Sequence, residues 1–105
     1  MKVAITGMGI ISSIGTTVEE NFHSLVSLKT GLSTISNFET IHKDVIKVGE
    51  IKQTNEQLAE QLNLPSDNNF SRTALLGAIA AKQAVKDANI TNINEYKSGL
   101  ISATS

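Results

Sequence analysis

Val3-Ala4-Ile5-Thr6-Gly7-Met8-Gly9, followed at a short distance by Thr17-Val18-Glu19-Glu20, decides how this chain begins. Val3 to Thr6 is apolar without alternation, the pattern of a strand covered on both faces. Gly7 to Gly15, with Ser12 and Ser13, reads as a strand-exit loop in which glycines allow positive φ. Thr17 and Glu20 have the T-x-x-E spacing of a capping box, in which each side chain satisfies a backbone donor near the other. Val18, Phe22, Leu25 and Val26 then fall at i, i+4, i+7 and i+8, giving one apolar stripe on a first helix. Gly31 suits the left-handed position past its end.

Further along, Leu32 to Asp44 mixes Phe38 and Ile41 with Ser, Thr and Asn and reads as an ordered loop. Val45 to Ile51 predicts a second strand, with Gly49 as a bulge. Thr54-Asn55-Glu56-Gln57 is another capping box; Leu58, Ala59 and Leu62 follow it, and Leu64-Pro65 closes that helix. Ser66 to Asn69 is a polar turn. The longest helix is expected from about Asn69 to Ala88. Its apolar positions (Ala74, Leu75, Leu76, Ala78, Ile79, Ala80, Ala81, Ala84, Val85, Ala88) are mostly small and cover a wide arc. Small side chains permit close approach and a wide arc implies contact on more than one side, so this helix belongs inside a layered structure. Asn89 suits the position after its end. Asn92 to Ser98 is a connection, and Gly99 to Ala103 opens a third strand. The order β, α, loop, β, α, α, β is that of an α/β chain, with no repeats.

Composition narrows the function. With 105 residues the chain is one domain at most. It has 40% apolar residues, enough to build a core. Nine Lys and Arg stand against ten Asp and Glu, so the basic face that nucleic acid requires is missing. Four aromatics, Phe22, Phe38, Phe70 and Tyr96, are too few for a base-stacking platform. The absence of cysteine excludes disulfides, thiolate chemistry and Cys-rich zinc sites in these residues. His23 and His42 fit no metal-ligand spacing, so no metal site is expected. No apolar run approaches the roughly 20 residues needed to span a bilayer. The short run at Val3–Ile11 is broken by Thr6, Gly7 and Gly9, unlike a signal peptide. A cytoplasmic protein is expected.

The tempting motifs are weak. Gly7-x-Gly9 after a strand suggests dinucleotide binding, but the third glycine of that fingerprint is replaced by Ser12, and the helix caps only at Thr17. No cofactor is expected, although a nucleotide-binding α/β domain stays as an alternative. Glu19 and His23 are four apart and face each other on a helix, an arrangement commoner as a solvated surface pair than as a general base. His42 sits in a polar loop with Lys43 and Asp44. No G-x-S-x-G elbow is present. Arg72 is a single cation near the start of the long helix.

Taken in order, however, several segments resemble the elongating β-ketoacyl synthases of the thiolase superfamily. Met1-Lys2-Val3-Ala4-Ile5-Thr6-Gly7-Met8-Gly9-Ile10-Ile11-Ser12-Ser13-Ile14-Gly15 is similar to that family's opening. Asn21-Phe22-His23-Ser24-Leu25, Lys29-Thr30-Gly31-Leu32-Ser33-Thr34-Ile35 and Phe38-Glu39 resemble the segments that follow. Ser71-Arg72-Thr73-Ala74 and Ala80-Ala81-Lys82-Gln83-Ala84-Val85-Lys86-Asp87-Ala88 resemble its long small-residue helix. The resemblance covers residues 1–105.

It implies a thiolase-like fold, of which this chain supplies the N-terminal part of a layered α-β-α-β-α architecture, truncated before the catalytic residues. It also implies decarboxylative Claisen condensation of an acyl thioester with a malonyl-carrier protein, in fatty-acid or polyketide synthesis. The nucleophilic cysteine and two histidines of that chemistry are expected beyond residue 105. No catalytic residue is carried onto this sequence, so these residues by themselves are expected to be inactive. Acyl carrier protein is the implied partner, with a homodimer, or a heterodimer with a synthase homologue, as the assembly. Many bacterial members carry a basic stretch before the long helix that meets the carrier protein. Here it reads Asp67-Asn68-Asn69-Phe70-Ser71-Arg72, leaving Arg72 as the one cation for that contact. A non-catalytic, chain-length-factor type subunit is the alternative within the family. The wide apolar arc of the long helix, uncovered, predicts association or marginal stability.

Overall fold

A computed structural model describes residues 1–104. Among them the elements run α1 (Val18–Val26), β1 (Leu32–Thr34), β2 (Lys47–Gly49), α2 (Asn55–Gln61) and α3 (Arg72–Asp87). The result is a mixed α/β chain with one two-stranded antiparallel sheet, in which Leu32 pairs with Gly49, Ser33 with Val48 and Thr34 with Lys47.

The core lies between α2 and α3. Leu58 and Ala59 meet Leu75 and Ile79, with Ile11, Leu62, Leu64 and Leu76 packed around them. Leu58 and Leu75 are fully buried; burying side chains of this size stabilises by about 1.5–3 kcal/mol each. Both helices begin on satisfied donors. Thr54 Oγ1 accepts from Gln57 N at 3.3 Å while Gln57 Oε1 accepts from Thr54 N at 2.9 Å, a complete capping box. Ser71 caps α3 by accepting from Ala74 N, so that helix starts at Arg72, three residues later than expected. Two cations tie the helices together. Arg72 donates to Asn55 Oδ1 at 2.9 Å, and Lys82 Nζ donates to the Gln61 carbonyl at 2.9 Å.

A second face of α3 carries the chain's beginning. Met8 N donates to Asp87 Oδ2 at 2.9 Å and Ile10 N to Gln83 Oε1 at 3.1 Å. A Cβ on Gly7 would meet the Ala84 carbonyl and lie 2.7 Å from Ala88 N, and one on Gly9 would overlap the Ala80 carbonyl. The register follows from two repeats. Four helix residues advance about 6 Å and two extended residues about 6.6 Å, so alternate residues of this arm meet helix positions four apart. The arm's direction is opposite to that of α3. Its glycines are needed for close approach to the helix, not for positive φ, which no glycine adopts.

Several expectations are corrected. Val3–Thr6 and Gly99–Ala103 form no ladder. A ladder needs a second strand alongside, and among the described residues neither segment has one. Leu32–Thr34, expected as loop, is a strand because it has Lys47–Gly49 to pair with, and Gly49 is a paired strand residue, not a bulge. The left-handed residue after α1 is Leu28 (φ 56°), in place of Gly31. Asn89 does adopt φ 56° after α3, as expected. The apolar stripe of α1 points outward: Phe22, Leu25 and Val26 are exposed, and Asn21 and Ser24 are buried instead. The three helices and one two-stranded sheet form a mixed α/β set without making up the layers by themselves. Only β1 with β2 and α2 with α3 make extensive element-to-element contact among the described residues. The wide arc of α3 is covered on two sides, and Ala74, Gly77, Ala78 and Ala81 stay exposed.

Candidate functional site

The largest concentration of polar side chains lines a cleft of about 610 Å³ between the Ser12–Thr16 loop, α1 and the chain after β2. The loop is a tight turn, with Ser12 N donating to the Gly15 carbonyl at 2.8 Å. Buried polar groups of α1 peg it in place. Asn21 Nδ2 donates to the carbonyls of Gly15 (2.9 Å) and Thr17 (2.7 Å), Ser12 Oγ donates to Asn21 Oδ1, and Ser24 Oγ donates to the Ile14 carbonyl at 2.6 Å. Buried polar groups need such partners, which explains why α1 turns its polar side inward. The pegs went unread in the sequence; the available signal was an Asn one helical turn after the Thr17 cap.

Glu20 only half-completes the expected capping box. Thr17 Oγ1 accepts from Glu20 N at 3.2 Å, but the Glu20 carboxylate reaches one residue further back and accepts from Thr16 N and Thr16 Oγ1, both at 2.7 Å. These Thr16 hydrogen bonds, helped by nearby Lys29, hold its carboxyl below the usual carboxylate range. On the opposite wall, Glu50 accepts from Lys52 Nζ (2.7 Å), Ser36 Oγ (2.7 Å) and Asn37 N (2.8 Å). Lys52 above all, then Ser36 and Asn37, lower its pKa to about 2. Its side chain is 10% exposed, yet it lies at the surface: donors, not depth, cover it. Lys52–Glu50 is the only ion pair among the described residues.

Carboxylates held this acidic are poor bases near neutral pH. The hydroxyls of Ser12, Thr16 and Ser24 are given to an amide oxygen, a carboxylate and a carbonyl, and none of the three contacts a histidine. A serine nucleophile requires a base within hydrogen-bond reach. The hydroxyls and carboxylates named are thus committed to hydrogen bonds within the chain. Glu19 and His23 both line it but make no ion pair, and His42 lies outside it, in the turn after Thr40. No group of three His, Cys, Asp or Glu able to hold a metal occurs among the described residues. Gly7 and Gly9 sit against carbonyls in the C-terminal half of α3, not at a helix N-terminus. The pyrophosphate seat of a dinucleotide fold is thus not formed there. Arg72 is half-buried, and besides Asn55 it donates to the Ile51 carbonyl at 2.6 Å, which Asn37 Nδ2 also reaches at 2.7 Å. It joins the chain after β2, α2 and α3.

The arrangement is thus an arm of alternating glycines pressed on a small-residue helix beside a turn pegged by α1. The family model of the β-ketoacyl synthase N-terminal domain matches residues 1–105. The chain belongs to the β-ketoacyl synthase family. Among curated relatives, the chain is 30% identical over 95 residues to 3-oxoacyl-[acyl-carrier-protein] synthase 2 of Staphylococcus aureus (strain MRSA252), covering 90% of this chain and 22% of that protein. It is 33% identical over 91 residues to 3-oxoacyl-[acyl-carrier-protein] synthase 1 of Buchnera aphidicola subsp. Baizongia pistaciae (strain Bp), covering 87% of this chain and 22% of that protein. No solved structure matches significantly. The chain therefore spans about a fifth of the length of these synthases, and in this family setting the α3 packing and the pegged turn are its structural content. No helix among the described residues is long and apolar enough to cross a membrane.

Proposed function

We propose that residues 1–105 are the opening of the N-terminal domain of a condensing enzyme with a thiolase-like, layered fold. In this reading they are scaffold for a reaction performed by residues outside them. The reaction is decarboxylative condensation of an acyl thioester with a malonyl-carrier protein in fatty-acid synthesis. A cysteine beyond residue 105 takes the acyl chain as a thioester, and two histidines beyond it assist decarboxylation. Acyl carrier protein is the partner, a homodimer the assembly and the cytoplasm the location. The observation carrying this reading is the family match over the whole chain, joined to relatives named 3-oxoacyl-[acyl-carrier-protein] synthases. The lack of cysteine and of a base-activated hydroxyl agrees with it.

Carrier-protein contact at Arg72 would draw on the guanidinium N–H groups left after Ile51 and Asn55 are served, with the steering field of a single cation. The test incubates the 105-residue chain with a labelled acyl-carrier protein and looks for a protein thioester by mass spectrometry. No acyl transfer is expected, and detectable acylation would overturn the scaffold reading. The coding sequence following Ser105 is then read for a cysteine at a helix start and two later histidines. Their presence with condensing activity is the expected result, and their absence would favour the non-catalytic subunit.

A further inference from the structure

The glycine arm and the pegged turn meet at one side chain. Gln83 Oε1 accepts from Ile10 N at 3.1 Å, and Nε2 of the same amide donates to the Thr16 carbonyl at 2.6 Å. Thr16 in turn gives its N–H and its hydroxyl to Glu20 of α1. Among the described residues α1 makes no extensive contact with α3, so Thr16 and Gln83 supply a hydrogen-bonded route between the two helices. One helical turn further on, Asp87 Oδ2 accepts from Met8 N at 2.9 Å. Residues four apart share a helix face, and alternate amides of an extended chain point the same way. Gln83 and Asp87 therefore present acceptors at nearly the spacing at which a neighbouring strand would present carbonyls.

The glycines beside these amides exclude the adjoining registers. A Cβ at Gly7 would overlap the Ala84 carbonyl, and one at Gly9 the Ala80 carbonyl. Sliding the arm by two residues brings either Ile11 into the place of Gly9 or Ile5 into the place of Gly7. Sliding it by one puts Thr6 and Met8, or Met8 and Ile10, in both places and turns the amides away from their acceptors. Each slip drives at least one Cβ into a helix carbonyl, an overlap that only a backbone shift relieves.

We propose that Gln83 and Asp87 stand in for a partner strand: they hold the arm on α3 in a single register, and Gln83 couples that register to the pegged turn and α1. Both are positioning residues that act through the amides they hold. Gln83 is the more demanding position. It needs an acceptor and a donor on one side chain, and neither an ionised glutamate nor a methionine offers both.

The test is residue-resolved amide exchange by NMR on the 105-residue chain and its variants, with helix content checked by circular dichroism. Asp87→Ala should speed exchange at Met8 by about fivefold, the effect of losing one hydrogen bond. Asp87→Asn keeps an acceptor and should leave Met8 protected. Gln83→Met should speed exchange at Ile10 and at Thr16 by a similar factor, whereas Gln83→Glu should speed it at Thr16 and spare Ile10. The Leu75 and Ile79 amides of the α2–α3 core should change less than these reporters in every variant. Met8 and Ile10 amides exchanging at free-peptide rates in the wild type would overturn the proposal. So would equal acceleration at Met8 by Asp87→Ala and Asp87→Asn, or unchanged Ile10 exchange in Gln83→Met. Acceleration at Leu75 and Ile79 matching that at the arm would also overturn it, because the two side chains would then support the fold as a whole and set no register.

Discussion

Helices α1 and α3 carry similar sequence signals and meet opposite fates. Each has a capping residue and an apolar arc at helical spacing. In α3 that arc is used, by α2 on one side and by the arm of Gly7 and Gly9 on another. In α1 the arc of Phe22, Leu25 and Val26 faces outward, while Asn21 and Ser24 are buried against the loop they peg. An apolar stripe states which face gains from being covered. Whether it is covered depends on which other segments the chain can bring there, and among the described residues none reaches that side of α1.

The sharpest way to break this contrast is to truncate one residue from each helix. Leu75→Ala removes a fully buried side chain from the α2–α3 core and is expected to cost about 2–5 kcal/mol of stability. Leu25→Ala on α1 is expected to change it by less than ~0.5 kcal/mol. Urea titrations followed by circular dichroism would measure both, and equal effects would erase the distinction.

A finer test uses one substitution at two glycines. Gly9→Ala forces a methyl into the Ala80 carbonyl and is expected to destabilise by about 1–3 kcal/mol. Gly77→Ala, in the middle of α3 with nothing within 4 Å, is expected to stabilise by about 0.5–1 kcal/mol. Opposite signs would show that α3 is closed toward the arm and open on its other side.

The smallest effect is expected at the Glu50 clamp, away from both helices. Its folded pKa of about 2 lies below the ordinary 4.5. The folded state therefore binds fewer protons than the unfolded state between these values. The clamp's contribution is full above about pH 4.5 and is lost as pH falls toward 2. Glu50→Gln should flatten the acid limb of a stability–pH profile measured over that window. An unchanged limb would leave Glu20 and Glu56, whose carboxyls are also lowered, as its source.

Local rules were legible where they were self-contained. Thr54 with Gln57 fixes a helix start because both partners lie within one turn. Asn89 was placed correctly because the need for a left-handed residue after a helix is local. Glu20 departed from its pattern because Thr16, one residue earlier, turns both its N–H and its hydroxyl to the carboxylate. The strand Leu32–Thr34 was unreadable as such, since its polar residues carry no alternation and its identity comes from Lys47–Gly49 beside it. The cleft escaped for a related reason: Glu50, Ser36 and Lys52 have chemistry together and none apart.

By itself, the sequence determined the helices α1, α2 and α3, the Thr17 and Thr54 caps of the first two, and the family to which the chain belongs. These rest on spacing within one or two turns and on the order of short segments, and both survive without long-range contacts. Tertiary structure alone decided that Gly7 and Gly9 seat against Ala84 and Ala80, that α1 buries Asn21 and Ser24, and that the expected strands at Val3 and Gly99 have no ladder. Each of these depends on what lies beside a segment. Strand pairing and burial are properties of neighbours, and a helix or extended segment records in its own residues only what it would accept.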